Sequence, residues 1–177
     1  AFVFCSFNSH QKITYKVFDI WTNILKNIDH SVLWLYCNNR IAQKNLLEFF
    51  DYKLIDKSRL IFAERIPLKD HMARLSCADL FLDTFNYSAG ATAYLTLRAG
   101  LPLLTLSGKT YVSRMSSSLL TALSMNDLIS NNITEYQEKA IKLSSKSEIL
   151  KVKKFLQNQL KNNNLFDSLL MTRNLEN

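Results

Sequence analysis

Short apolar runs alternate with helix-period stretches along the whole chain, and this alternation constrains the fold more than any other feature. Residues 2–7, 31–37, 59–63, 78–83 and 102–106 are short and apolar, with a sixth short run near 128–129. Between them, apolar residues recur at spacings of three and four. Over 15–28 these are Val17, Phe18, Trp21, Ile24, Leu25 and Ile28. Over 40–52 they are Ile41, Leu46, Leu47 and Phe50, and over 111–123 Val112, Met115, Leu119, Leu120 and Leu123. Helices are also expected over 68–76 (behind Pro67), 90–98 and 147–161. Thr134, Glu135, Tyr136 and Gln137 read as a capping box that starts a helix reaching about Leu143.

Strands that are apolar on both faces and separated by helices specify a parallel sheet covered on both sides. The expected fold is therefore α/β, a doubly wound parallel sheet of strand order 3-2-1-4-5-6. Such sheets bind ligands at the carboxyl ends of the strands, where the winding direction reverses between strands 1 and 4. Here those edges are residues 8–12 and 84–92. Only three glycines occur in 177 residues, at Gly90, Gly100 and Gly108, with Pro102 among them. That scarcity excludes collagen-like and linker sequences and speaks against a turn-dense β-sandwich. It also marks 90–108 as the place where backbone can approach a ligand, so two independent arguments converge on one edge.

The 84–92 segment opens a helix, and its free amides with the positive end of the dipole can hold an anion. Gly90 allows close approach and Thr92 offers a hydroxyl. An ordinary N-cap by Ser88, with Gly90 serving packing, reads equally well from the pattern. Lys12 follows strand 1 across the switch point, where a lysine can neutralise a diphosphate or simply be solvated. His71 can stack on a base or be a half-exposed helix residue. Gly108, Lys109 and Thr110 look like the end of a phosphate-binding loop. However, the preceding glycine is Gly100, eight positions earlier, where that motif requires five. A helix start at 110–112 with Arg114 one turn in can still assist an anionic ligand. His10 and His30 lack a metal-ligand pattern.

The net charge is +7. Residues 139–161 concentrate it, with seven lysines against the single Glu148. A solvated helix face is the ordinary meaning, and a nucleic-acid-binding surface is the alternative. Cys5, Cys37 and Cys77 form no CxxC and read as reduced, buried thiols of a cytoplasmic protein. No apolar run is long enough to span a membrane. The chain opens directly in a strand pattern without methionine, as an excised fragment would.

Certain ordered strings add a resemblance. Phe4-Cys5-Ser6-Phe7-Asn8 precedes Lys12-Ile13, Trp21 and Ser31-Val32-Leu33-Trp34-Leu35. Further on come Arg59-Leu60-Ile61-Phe62-Ala63, His71 and Ala78-Asp79-Leu80-Phe81-Leu82-Asp83-Thr84. Ala99-Gly100-Leu101-Pro102, Ser113-Arg114, Ser118-Leu119-Leu120 and Leu165-Phe166-Asp167 follow. Together they resemble the carboxy-terminal catalytic lobe of the O-linked N-acetylglucosamine transferase and SPINDLY family.

The resemblance implies one Rossmann-like lobe of a GT-B glycosyltransferase over 1–177, with a helical extension over 145–177. It implies a sugar, N-acetylglucosamine, moved with inversion from a nucleotide diphosphate to Ser or Thr of an acceptor protein, without metal or cofactor. The donor would be UDP-linked rather than GDP-linked. A first catalytic lobe and tetratricopeptide repeats would stand upstream, and the isolated chain would not turn over. By position, Lys12 matches the lysine that stabilises the leaving diphosphate, and His71 the histidine near the base. Arg74 matches an arginine one turn later, and Thr92 the last residue of a His-Thr-Thr run at the phosphates. Gly90 and Ala91 replace the first two residues of that run, Leu95 replaces an acidic ribose contact and Ser9 a glutamine. These departures leave a second reading open, a degenerate lobe kept for protein interaction.

Overall fold

The computed structural model describes residues 1–176. Its elements, in order, are β1 (Phe2–Ser6), α1 (Tyr15–Lys26), β2 (Ser31–Tyr36), α2 (Arg40–Tyr52), β3 (Leu60–Ala63), α3 (Leu68–Leu75) and β4 (Leu80–Leu82). They continue as α4 (Ala91–Arg98), β5 (Leu103–Leu106), α5 (Met115–Ala122), β6 (Ile129–Ser130), α6 (Ile133–Leu143), α7 (Lys146–Asn162) and α8 (Ser168–Glu176). The strands form a six-stranded sheet of order β3-β2-β1-β4-β5-β6. All its pairings are parallel, with Phe4 opposite both Leu33 and Leu80. This is the doubly wound order that the alternation predicts, with the reversal between β1 and β4.

Right-handed crossovers put α1 and α2 on one face, where Phe18 contacts Phe49 and Phe50. After β6 the chain returns to that face and α6 packs on α1. The opposite face carries α3, α4 and α5. The core includes Phe4, Trp21, Leu33, Leu35, Phe50, Phe81 and Tyr136, all essentially inaccessible. One polar thread crosses it. Trp21 Nε1 donates to the Tyr136 hydroxyl at 3.3 Å, and that hydroxyl donates to the Asp83 carbonyl at 3.2 Å. The thread satisfies two polar groups that would otherwise be buried unpaired.

At the amino ends of the strands, Asp79 accepts from Val3 N at 2.9 Å and from Lys153 Nζ of α7 at 3.1 Å. Arg59 reaches the carboxyl end of α1, donating to Leu25 and Ile28 carbonyls at 2.8 Å each. Gly100 ends α4 with φ +79°, a left-handed turn that glycine makes without a Cβ penalty.

Several local expectations shift. Ile41 is 73% exposed rather than inward, because the first turn of α2 turns Ala42 and Gln43, not Ile41, toward the fold, with Gln43 donating to the Cys37 carbonyl. The helix expected over 111–123 is broken. A 3-10 turn, Tyr111–Ser113, ends at Arg114, and α5 starts only at Met115. The helix cap lies two residues earlier than read, and the reciprocal bond of a capping box is displaced by one residue. Asn132 accepts from Glu135 N at 2.9 Å, while Glu135 accepts from Asn131 N at 2.8 Å. Cys5 and Cys37 are buried as expected, but Cys77 is exposed past the end of α3. Beyond α6 the described chain continues as α7, a short 3-10 turn and α8, and Asn177 at the end of the expected extension lies outside the described residues.

Candidate nucleotide-sugar site

The site begins with a buried carboxylate. Asp83 ends β4 and is inaccessible to solvent. Its Oδ1 accepts from Thr84 N and Ala89 N, both at 2.8 Å, and from Asn8 Nδ2 at 3.2 Å. Its Oδ2 accepts from Thr105 Oγ1 at 2.8 Å. Burial raises its pKa, and the donors around it oppose that shift. One side chain thus draws together the ends of β1, β4 and β5 and folds 84–89 into a fixed loop. Thr84 Oγ1 closes the loop onto the Tyr87 carbonyl at 2.8 Å, with Asn86 at φ +69°.

Lys12 leaves β1 through a 3-10 turn, His10–Lys12, and crosses to this loop as the switch-point argument expects. Its Nζ donates to the Ser88 carbonyl at 3.1 Å and lies 3.9 Å from the centre of the Tyr87 ring. Burial pushes its pKa below the usual lysine value, and the Asp83 carboxylate partly offsets this. An ammonium has three N–H donors, so two remain for a ligand at the strand ends.

Ser88 is not the cap of α4. Its hydroxyl donates to the Val112 carbonyl at 2.8 Å and accepts from Ser116 N at 3.4 Å, tying the loop to the start of α5. Gly90 holds the N-cap position of α4, and no side chain caps that helix. Its first-turn amides are therefore left for another acceptor. A Cβ built on Gly90 would lie 2.1 Å from Met115 Cε, so the Met115 tip fills the space that a side chain at 90 would need.

Gly90, Ala91 and Arg114 line one cleft of about 660 Å³ between α4 and α5, together with Tyr94, Met115 and Ser117. Arg114 is exposed and makes no ion pair or hydrogen bond from its guanidinium among the described residues. Thr92 stands half-buried in the first turn of α4. His71 and Arg74 line a separate cleft of about 330 Å³ with Phe7, Tyr36, Arg65 and Leu68. There Arg74 donates to the Glu64 carbonyl at 2.8 Å and lies 2.7 Å from His71 Nδ1. Its guanidinium carbon sits 4.6 Å from the Phe7 ring centre. Arg74 therefore holds His71 in place. Burial, then the Arg74 charge, lowers the His71 pKa and keeps Nδ1 a neutral acceptor.

The structure thus divides the sequence-derived residues: Gly90, Ala91 and Arg114 line one cleft, His71 and Arg74 line another, and Lys12 and Thr92 line neither. The sequence reading missed Asp83, Ser88 as a link to α5, and Met115. An acidic residue closing the apolar run 78–83 was the available signal for the first; the other two depend on contacts across 24 residues or more. Among the described residues, no group of three or more His, Cys, Asp or Glu could hold a metal ion. No helix among them is long and apolar enough to cross a membrane. Three lysines of the basic stretch are engaged within the fold: Lys139 with Glu135, Lys151 with Glu148 and Lys153 with Asp79.

Comparison with known proteins bears on the family and the fold. The family model described as Glycosyl transferase family 41 matches residues 1–175. A probable UDP-N-acetylglucosamine–peptide N-acetylglucosaminyltransferase SPINDLY of Solanum lycopersicum is 31% identical over 179 residues, covering 98% of this chain and 19% of its own length. The UDP-N-acetylglucosamine–peptide N-acetylglucosaminyltransferase of Caenorhabditis elegans is 30% identical over 150 residues, covering 85% and 13%. Among solved structures, a lysine-to-methionine variant of the Thermobaculum terrenum O-GlcNAc transferase superposes with a TM-score of 0.92 at 27% identity, covering 99% of this chain and 34% of that one. The chain spans only a minor part of each relative's length. Matched from its first strand nearly to its last helix, it belongs to glycosyl transferase family 41.

Proposed function

We propose that this chain is the donor-binding lobe of an inverting protein O-glycosyltransferase. It takes a UDP-linked N-acetylglucosamine whose sugar passes to Ser or Thr of an acceptor protein. The observation that carries the reading is the edge where Lys12 faces the uncapped start of α4, with the unengaged Arg114 beside it. Glycosyl transfer leaves a full negative charge on the departing diphosphate. An ammonium, a guanidinium and a row of amides fixed in advance stabilise that charge as it develops. His71, oriented by Arg74, offers a ring face and edge to the base. These charges neutralise the diphosphate in the place a metal ion would take. A first catalytic lobe would complete the cleft, tetratricopeptide repeats upstream would present the acceptor, and the enzyme would work in the cytoplasm.

A second reading, a degenerate lobe kept for protein interaction, draws on Met115 covering Gly90 and on Leu95 at the position of the acidic ribose contact. Calorimetric titration separates the two. The chain should bind UDP saturably and more tightly than GDP, and Lys12→Ala should weaken UDP while leaving uridine unchanged. Loss of a charge-assisted hydrogen bond of roughly 1.5–3 kcal/mol corresponds to about a ten- to hundredfold weakening. Absence of saturable binding by UDP and GDP alike would establish the degenerate reading instead.

A further inference from the structure

Two groups of the 84–89 loop hold the Lys12 ammonium, and only one of them is a hydrogen-bond acceptor. The Ser88 carbonyl accepts from Nζ at 3.1 Å, and the Tyr87 ring centre lies 3.9 Å from the same atom. That is well inside the distance of about 6 Å at which an aromatic face attracts a cation. The Tyr87 side chain does little else in the fold. It is 48% exposed, and its hydroxyl makes no hydrogen bond among the described residues. The backbone beneath the ring is fixed without its help. Thr84 Oγ1 donates to the Tyr87 carbonyl at 2.8 Å, Asn86 takes φ +69°, and the Ser88 hydroxyl donates to the Val112 carbonyl at 2.8 Å.

An aromatic ring has a particular merit beside this lysine. A carboxylate in its place would hold the ammonium more strongly but would also cancel its charge. A ring face attracts through its quadrupole and leaves the full charge to act on an anion. The buried Asp83 carboxylate acts on Lys12 only through its field, because its oxygens already accept from Asn8, Thr84, Ala89 and Thr105. Lysine is also a flexible stem, and a ligand that must first gather it loses affinity to the rotamers frozen out. A stem already settled between a ring and a carbonyl avoids much of that loss. We propose that Tyr87 is a positioning residue for donor binding: its ring, with the Ser88 carbonyl, presets the Lys12 ammonium for the diphosphate while leaving its charge unneutralised. The inference rests on the donor-binding reading above, since the diphosphate is what the preset ammonium serves.

The test is a double-mutant cycle on UDP affinity, read on the whole chain by NMR-detected titration, which follows weak and tight binding alike. Tyr87→Leu removes the ring and Tyr87→Phe keeps it. Both variants should melt as the parent does, because the bonds that fix the loop do not involve this side chain. Tyr87→Leu should weaken UDP about two- to fivefold, and Tyr87→Phe should restore the parent affinity. Uridine, which carries no phosphate, should bind all three alike. In a Lys12→Ala background Tyr87→Leu should change nothing, because the ring then has no ammonium to hold. The Lys12 ε-methylene protons give a readout that mere packing of the loop would not move. The ring current should shift them upfield in the parent and in Tyr87→Phe, and Tyr87→Leu should release them. If UDP binds the parent and Tyr87→Leu leaves it unchanged, or weakens it equally with and without Lys12, the inference is refuted while the donor-binding reading stands. If uridine weakens as much as UDP, the ring contacts the nucleoside instead, and failure of Tyr87→Phe to restore affinity assigns the effect to the hydroxyl; either result overturns the inference. If UDP does not bind the parent chain, both readings fall together.

Discussion

Gly90 and Met115 should behave as one packing unit, and a double-mutant cycle measures this directly. In Gly90→Ala the new Cβ would start 2.1 Å from Met115 Cε. That is about 1.4 Å short of the ~3.5 Å at which carbon atoms pack. The obstructing atom is the end of a flexible side chain, so the methionine yields rather than the backbone. Moving it off its rotamer costs about 0.5–1.5 kcal/mol, overlapping the low end of the ~1–3 kcal/mol typical of overpacking. Alanine is also a poorer N-cap residue than glycine. Together these terms destabilise Gly90→Ala by about 1–2 kcal/mol. Met115→Ala, from a half-buried position, should cost a similar amount through lost contacts. In the double variant the clash no longer exists, so the combined cost should fall short of the sum by about 1 kcal/mol. Urea denaturation followed by circular dichroism, with linear extrapolation, reads each ΔG. Costs that add to within about 0.3–0.5 kcal/mol would refute the packing account, since that is the behaviour of sites that do not touch.

Three further outcomes follow from the same geometry. The His71 pKa is depressed by burial and by Arg74, so its contribution to stability is intact above the ordinary value near 6.5 and is lost as pH falls through the folded-state value. A proton NMR titration should place its midpoint below about 6.5, and His71→Gln should flatten the decline in stability on acidification; a midpoint at or above 6.5 would contradict this. Leu54 is 92% exposed with φ +54° just after α2, where Ile55 N bonds back to the Phe50 carbonyl at 2.9 Å. Leu54→Gly should raise stability by about 0.5–1 kcal/mol by removing a left-handed leucine, as read from the denaturation midpoint. Of the three cysteines only Cys77 is exposed, and burial pushes the Cys5 thiol far up. Ellman's reagent should therefore react with one thiol in the folded chain and with three in denaturant.

The strand order and the location of the switch point were legible because both depend on local pattern. A sheet strand buried on both faces must be apolar throughout, and a covering helix must be apolar on one side. Each segment therefore declares its type within ten or so residues, and the crossover rule then leaves one topology. Gly100 followed equally from its place at the end of a helix. The misread details are those in which one backbone group chose between nearby partners. Ser113 bonds to Thr110 and breaks the expected helix at Arg114, and Asn132 captures the cap that Thr134 was expected to supply.

The residues alone therefore determined a doubly wound sheet and its switch point, and marked Lys12, His71, Gly90, Thr92 and Arg114 as candidates, with Arg74 and Ala91 entering through the family resemblance. Only the tertiary structure decided how these groups are shared out. Asp83 meets Asn8 across 75 positions, Ser88 meets Val112 across 24, and Met115 fills the space at Gly90. No periodicity carries such contacts, because they form between elements brought together by packing the whole sheet. That packing sets one cleft at His71, another between α4 and α5, and the Lys12 ammonium against the Ser88 carbonyl and the Tyr87 ring.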